Sequence, residues 1–157
     1  MTEPSRIQSA DERRAAIAHE AGEMLNHGYH CSEAVLQAVA PHLVPDWNPD
    51  CARLATPFAG GTGGTQQELC GALSGGMMVI GALLGRVQAG VDDQEAQDLT
   101  ATYRRRFREA FGDSQCETLR AAVVHGKGGM GSCSVLVARA TALLLDLLTE
   151  AGYELQR

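Results

Sequence analysis

Aromatic side chains are scarce in this sequence and make up only 4% of its 157 residues. A core must therefore be filled by Ala, Leu, Val and Met, a composition that suits helices better than sheets. Apolar residues make up 45% of the chain and charged residues 20%, a balance that excludes an intrinsically disordered protein. We expect a compact single domain over residues 1–157, with a flexible segment at residues 1–9.

Excess positive charge and long apolar runs are also missing. The formal net charge of −6 argues against nucleic acid or an anionic membrane as a partner. The longest uncharged stretch, residues 69–85, contains five glycines and is short for a membrane span, so it predicts a buried helix. The first residues contain no apolar segment of the kind found in secretory signals, and we expect a cytoplasmic protein.

Helical periodicity predicts an all-α bundle of about five main helices with a Gly-rich central helix. The expected helices cover residues 10–27, 32–40, about 70–85, the segment between Asp92 and Gly112, and 133–151. Three capping pairs support helix starts: Ser9 with Glu12, Asp92 with Glu95, and Ser114 with Glu117. We expect Pro41 to end the second helix, one or two helical turns over residues 51–58, and a short helix from Gln115.

The glycines of the central helix need an explanation, since each costs a helix interior about 1 kcal/mol relative to alanine. They predict either a helix packed tightly against another backbone or a cofactor, or a helix broken near Gly75. The small surfaces at Gly71, Gly75, Gly81 and Gly85 would also suit contact between two copies of the chain. We therefore expect a homodimer.

Four of the five cysteines lie at or near predicted helix starts. Cys31, Cys116 and Cys133 fall in a first turn, and Cys70 opens its helix, or lies more than one turn inside it if Thr65 is the N-cap. Free backbone N–H groups and the positive end of a helix dipole favour a thiolate there and would stabilise an anionic iron–sulfur cluster. The alternative is that these cysteines are small residues that only fill a helical core.

Local cysteine motifs are absent. The four cysteines are separated by 39, 46 and 17 positions and no Cys-x-x-Cys occurs, which excludes a zinc knuckle and a thioredoxin motif. Any shared site must therefore be assembled by the fold. In a reducing cytosol static disulfides are rare, and grouped thiols indicate metal, cluster or redox chemistry.

Three further features have both a functional and a plain structural interpretation. The loop at 126–131 satisfies G-x-G-x-x-G, but the helix predicted after it leaves no room for the second strand of a dinucleotide fold. We expect instead a turn whose backbone N–H groups approach a cluster or an anion. His30 and His125 could tune a thiolate or could be ordinary surface histidines. The arginines at 104, 105, 106 and 108 form a solvated face or dock an acidic redox partner.

The cysteines also occur in a recognisable order. Residues 70–75 read C-G-A-x-x-G, Cys31 precedes them within residues 28–35, and Cys116 and Cys133 follow in the segments 111–116 and 131–134. This order resembles the bacterial C_GCAxxG_C_C family, whose members are assigned a redox role. The last domain of split-Soret cytochrome c is similar to the same family, and the resemblance spans roughly residues 10–148.

The resemblance implies a helical domain, a redox role and iron–sulfur ligation by Cys31, Cys70, Cys116 and Cys133, with Gly71 beside the cofactor. The covalent haem of split-Soret cytochrome c is not expected, because no Cys-x-x-Cys-His occurs. Cys51 lies outside the motif. We interpret it as a structural residue, with a resolving thiol or a fifth ligand as the alternative.

Three functions remain open at this point. The favoured one is electron transfer or redox sensing by an iron–sulfur cluster on the four motif cysteines, with a redox partner protein that the sequence does not identify. The second is a thiol–disulfide oxidoreductase in which two cysteines of low pKa cycle. The third is a protein that binds a soft metal ion such as Cu(I) or zinc. We expect Cys31, Cys70, Cys116 and Cys133 to converge, with their sulfurs within roughly 7 Å of a common centre if they hold a cluster. We expect Cys51 to lie apart from them.

Overall fold

The computed structural model describes residues 7–157, which form helices and connecting loops. In chain order the elements are α1 (Ala10–Asn26), α2 (Cys31–Leu43), a 3₁₀ helix (Pro49–Phe58), α3 (Gly71–Leu84), α4 (Gln94–Phe111), α5 (Cys116–Thr118), a π-helical stretch (Leu119–Val124) and α6 (Cys133–Glu150). Within the described range no strand forms, apart from an isolated bridge between Leu69 and Gln115. The all-α prediction is confirmed.

The predicted number of about five helices is slightly low. The 3₁₀ helix and the pair formed by α5 and the π-helical stretch are additional, and segments of so few turns carry little periodicity. The expected flexible segment at residues 1–9 falls mostly outside the described residues. Between residues 7 and 157, no helix is both long enough and apolar enough to cross a membrane.

The Gly-rich helix α3 lies at the centre of the bundle, in contact with α2, α4 and α6. A Cβ atom at Gly75 would lie 2.6 Å from the Ser32 carbonyl oxygen of α2, and one at Gly76 would overlap the ring of Tyr103 on α4. The helix is continuous from Gly71 to Leu84. The prediction of tight backbone packing is therefore confirmed, and the alternative of a helix broken near Gly75 is wrong.

Two of the glycines assigned to a dimer contact are used within the chain. Gly71 and Gly75 both pack against α2, whereas a Cβ atom at Gly81 would meet nothing within 4 Å. The homodimer stays a prediction, but these two glycines no longer supply a reason for it.

Aromatic residues are few, and those on α4 anchor the core. Tyr103 and Phe107 are fully buried, and their rings meet edge to face with centroids 6.3 Å apart. The Tyr103 hydroxyl donates to the Ala72 carbonyl of α3 at 3.3 Å and to the Ala140 carbonyl of α6 at 3.1 Å. One side chain thus joins three helices and holds the start of α3 against the middle of α6.

Helix ends follow the local capping pattern only where no tertiary contact competes. The box of Ser9 and Glu12 forms as predicted. The box of Asp92 and Glu95 does not form, because the helix begins at Gln94 and the Glu95 carboxylate accepts a hydrogen bond from the Tyr153 hydroxyl at 2.5 Å.

Two other predicted ends shift for similar reasons. Ser114 is buried and its carbonyl accepts from the Cys70 backbone N–H at 2.8 Å, so α5 begins at Cys116 with Gln115 as N-cap. Helix α2 continues past Pro41 to Leu43, because a proline near the C-terminus removes only one helical hydrogen bond. The next residue, Val44, still donates to the Ala40 carbonyl at 2.9 Å.

Candidate functional site

One cavity of about 270 Å³ has all four motif cysteines in its wall. Cys31, Cys116 and Cys133 are the first residues of α2, α5 and α6, and Cys70 is the N-cap of α3. All four therefore stand at helix starts, and the alternative that Cys70 lies more than one turn inside its helix is wrong. The remaining wall residues are Leu25, Tyr29, His30, Gly60, Gly71, Leu119, Arg120, Leu136 and Val137.

Backbone hydrogen bonds hold the segments of Cys70 and Cys116 side by side. The Cys70 N–H donates to the Ser114 carbonyl at 2.8 Å, and the Cys116 N–H donates to the Glu68 carbonyl at 3.0 Å. These bonds flank the bridge between Leu69 and Gln115. They bring together two cysteines that are 46 positions apart in the sequence.

Two glycines leave the room that the cysteines occupy. A Cβ atom at Gly71 would overlap the Cys31 sulfur, so only glycine lets α2 and α3 start this close together. Gly61 has a φ of +68°, and a Cβ there would lie 2.6 Å from the Cys116 Cβ atom. Gly71 thus borders the cavity beside Cys31, and its contact with a cofactor stays a prediction.

Burial outweighs the helix-start effect on the thiols. Desolvation raises the pKa of Cys70 to about 12, and it also raises the pKa of Cys116 and of Cys133. A negative charge on Cys31 would raise each of these three pKa values further. At the helix starts of Cys70, Cys116 and Cys133 the pKa is therefore raised and not lowered, because the cavity removes water from the thiolate.

The raised pKa of Cys70 predicts a loss of stability at alkaline pH in cluster-free protein. The unfolded chain releases the Cys70 proton near pH 9, whereas the folded chain retains it to about pH 12, so stability is full below pH 9 and falls as the pH rises through this window. Urea unfolding of cluster-free wild type between pH 8 and 10.5 should show the decline. Cys70→Ala should make the decline shallower, and the rest of it is due to the raised pKa values of Cys116 and Cys133. An equal slope in both proteins would contradict the prediction.

Arg120 is a wall residue that the sequence analysis missed. Its positive charge lowers the pKa of Cys116 and of Cys133, although desolvation exceeds this effect in both thiols. Arg120 lies four residues after Cys116, a spacing that places two side chains on the same face of a helix. This spacing was the sequence signal that could have identified Arg120 as a neighbour of Cys116.

The other candidate residues separate into those near the cavity and those away from it. His30 contributes to the wall, whereas His125 and the loop 126–131 do not. The loop N–H groups expected to approach a cluster donate to backbone carbonyls instead: Gly129 to Gly126, Met130 to Val123 and Gly131 to Val124. These three bonds close the end of the π-helical stretch, so these three N–H groups are not available to a cluster or an anion.

Cys51 lies apart from the motif cysteines. It belongs to the 3₁₀ helix and borders a different, apolar cavity of about 380 Å³ next to Trp47 and Met78. Three of the four arginines of α4 are engaged within the chain. Arg105 pairs with Glu109 and Arg106 with Glu150, while Arg108 donates to Ser114.

The fold and the site together define an all-α protein with a thiol-lined cavity at converging helix starts. The family model described as "Putative redox-active protein (C_GCAxxG_C_C)" matches residues 29–147, and the chain belongs to this family. The resemblance noted in the sequence is thereby confirmed. No match was found among curated proteins or among solved structures.

Proposed function

We propose that Cys31, Cys70, Cys116 and Cys133 bind an iron–sulfur cluster and that the protein transfers electrons or senses redox state. The observation that carries the proposal is the placement of four thiols from four helix starts around one cavity. No carboxylate is among the wall residues, so the donor set is thiolate sulfur, which iron–sulfur clusters use.

A single metal ion needs its thiolates grouped more closely than a cluster does. Four thiolates around one zinc ion at 2.3 Å would bring the sulfurs to about 3.8 Å from one another, whereas cluster ligands are distributed over several irons and stand farther apart. Within residues 7–157 no group of three His, Cys, Asp or Glu side chains is arranged to hold a metal ion. The support for a cluster is therefore the set of four thiols around one cavity of about 270 Å³.

The electrostatics argue against cycling of low-pKa thiols. At neutral pH the raised pKa values leave Cys70, Cys116 and Cys133 protonated in the absence of a metal. A protonated thiol is a poor nucleophile, so attack on a disulfide by any of these three thiols would be slow. Binding to a metal displaces the proton and supplies the positive charge that a buried thiolate needs.

The chain's own contribution is to position the ligands and to keep water out. Cys70 receives hydrogen bonds from the backbone of Ala72 and Leu73, which lower its pKa and would stabilise negative charge on its sulfur. Leu119, Leu136 and Val137 are buried and form the apolar side of the cavity. A bound cluster supplies reversible one-electron transfer. With a cluster bound, the chain would accept one electron from a one-electron donor protein and pass it to an acceptor of higher potential, and no bond of the chain would form or break.

The test is the iron and acid-labile sulfide content of wild-type protein purified anaerobically from iron-replete cells. We expect both in stoichiometric amounts, with broad visible absorption. A colourless protein whose free-thiol content follows the applied potential would favour disulfide chemistry. Metal without sulfide would favour a soft-metal carrier. Absence of both iron and sulfide, even after attempted reconstitution, would refute the cluster proposal.

A further inference from the structure

Arg120 is the permanent positive charge in the wall of the cysteine cavity. The wall contains four thiols, several apolar side chains and His30, but no carboxylate. Arg120 is half-buried, and with residues 7–157 its guanidinium forms no ion pair and donates no hydrogen bond. A guanidinium has five N–H donors and keeps its charge at every physiological pH.

Several other arginines of the chain have acidic partners. Arg14 pairs with Asp11, Arg105 with Glu109, and Arg106 with both carboxylate oxygens of Glu150 at 2.6 and 3.1 Å. Arg120 instead shares the wall of the cavity with Cys116 and Cys133, and its charge lowers the pKa of both thiols. Thiolates are the only negative charges that the wall can offer to it.

The backbone at this position is unusual as well. Arg120 belongs to the π-helical stretch that follows α5, and its carbonyl accepts the His125 N–H at 2.9 Å, five residues along the chain. A π-helix is rare and is frequently found at functional sites. Here the wider turn connects Cys116 to the loop that leads to Cys133.

We propose that Arg120 is the counter-charge that sets the reduction potential of the four-cysteine site. The inference rests on the proposed iron–sulfur function. Each electron added to the site increases its negative charge, and a fixed positive charge beside two of the four sulfurs stabilises the reduced state more than the oxidised state. Arg120 acts through the thiolates and is therefore a positioning and charge-compensating residue, without a part in electron transfer itself.

The experiment compares the midpoint potentials of four proteins, titrated anaerobically with dithionite and followed by visible absorption. The proteins are wild type, Arg120→Gln, Arg120→Lys and Arg105→Gln. The last is the matched control, since it removes the same charge from the exposed face of α4, which contributes nothing to the cavity wall. Iron and sulfide are measured in every sample, and the potential of the loaded fraction does not depend on occupancy.

We expect Arg120→Gln to lower the equilibrium constant for reduction about tenfold, which is about 59 mV for a one-electron couple. Arg120→Lys should recover most of this loss, and Arg105→Gln should match wild type. Normal iron content with an unchanged potential in Arg120→Gln would overturn the proposed role of Arg120 but not the cluster proposal. An equal shift in Arg105→Gln would overturn it too, because net charge would then explain the effect. Absence of iron and sulfide from wild type would overturn the cluster proposal together with this inference.

Discussion

We expect Cys133→Ala to retain little of the iron and sulfide that the proposed cluster would bring to the wild-type protein, whereas Cys51→Ala should retain both. Cys133 is the first residue of α6, whose N-cap Ser132 accepts the Val135 N–H at 3.4 Å, so its position is set by the helix start. Removing one of four ligands leaves an iron atom without its thiolate, and none of the wall residues has a carboxylate to replace it. Visible absorption should fall with the iron content.

The same variant should be less stable to unfolding, because a cofactor that binds only the folded chain contributes to its stability. A ligand present at 100 times its dissociation constant contributes about 2.7 kcal/mol, and we expect Cys133→Ala to lose at least that amount. Urea denaturation under anaerobic conditions measures the difference.

Cys51→Ala is a suitable control for the packing effect of the substitution. Both cysteines are half-buried, and Cys51 lies in the wall of the separate apolar cavity. Full iron retention in Cys133→Ala would remove Cys133 from the ligand set. Equal iron loss in the two variants would indicate a general loss of folding rather than the loss of a ligand.

Gly75→Ala should destabilise the protein by roughly 1–3 kcal/mol, the usual cost of forcing extra volume into a packed interior. The added Cβ atom would lie 2.6 Å from the Ser32 carbonyl oxygen and 3.0 Å from its Cα atom, and backbone atoms cannot rotate away as a side chain can. Helices α2 and α3 would have to separate. Because α2 begins with Cys31 and α3 with Gly71, we expect reduced iron content in this variant as well.

Gly81→Ala is the matched control on the same helix. Its Cβ atom would meet nothing within 4 Å, so the variant should gain up to about 1 kcal/mol from the higher helix propensity of alanine. Chemical denaturation of both variants gives the comparison. If Gly75→Ala were as stable as Gly81→Ala, the close approach of α2 and α3 would not require glycine.

Much of the fold could be predicted because its signals are local. A run of Leu, Ala and Met with few aromatics predicted helices, and Gly112 marked the end of α4, where the structure has a φ of +87°. Local signals failed where a distant residue competed for the same group. Tyr153 takes the carboxylate of Glu95 from its capping box, and the Cys70 N–H takes the carbonyl of Ser114.

The sequence by itself determined the helical class, the positions of the four motif cysteines at or near helix starts, and the family, since each depends on residue types and spacings along the chain. Only the tertiary structure decided that these helix starts surround one cavity, because consecutive motif cysteines are 17 to 46 positions apart in the sequence. Long-range backbone hydrogen bonds bring the segments of Cys70 and Cys116 together.

The tertiary structure also decided the electrostatics of the site. A helix start favours a thiolate, but the burial that opposes it depends on side chains from other elements, among them Leu119, Leu136 and Val137. The positive charge of Arg120 lowers the pKa of Cys133 for the same reason, since the fold brings the two residues together. Desolvation and Coulomb interactions depend on distances in space, and the order of residues along a chain does not specify those distances.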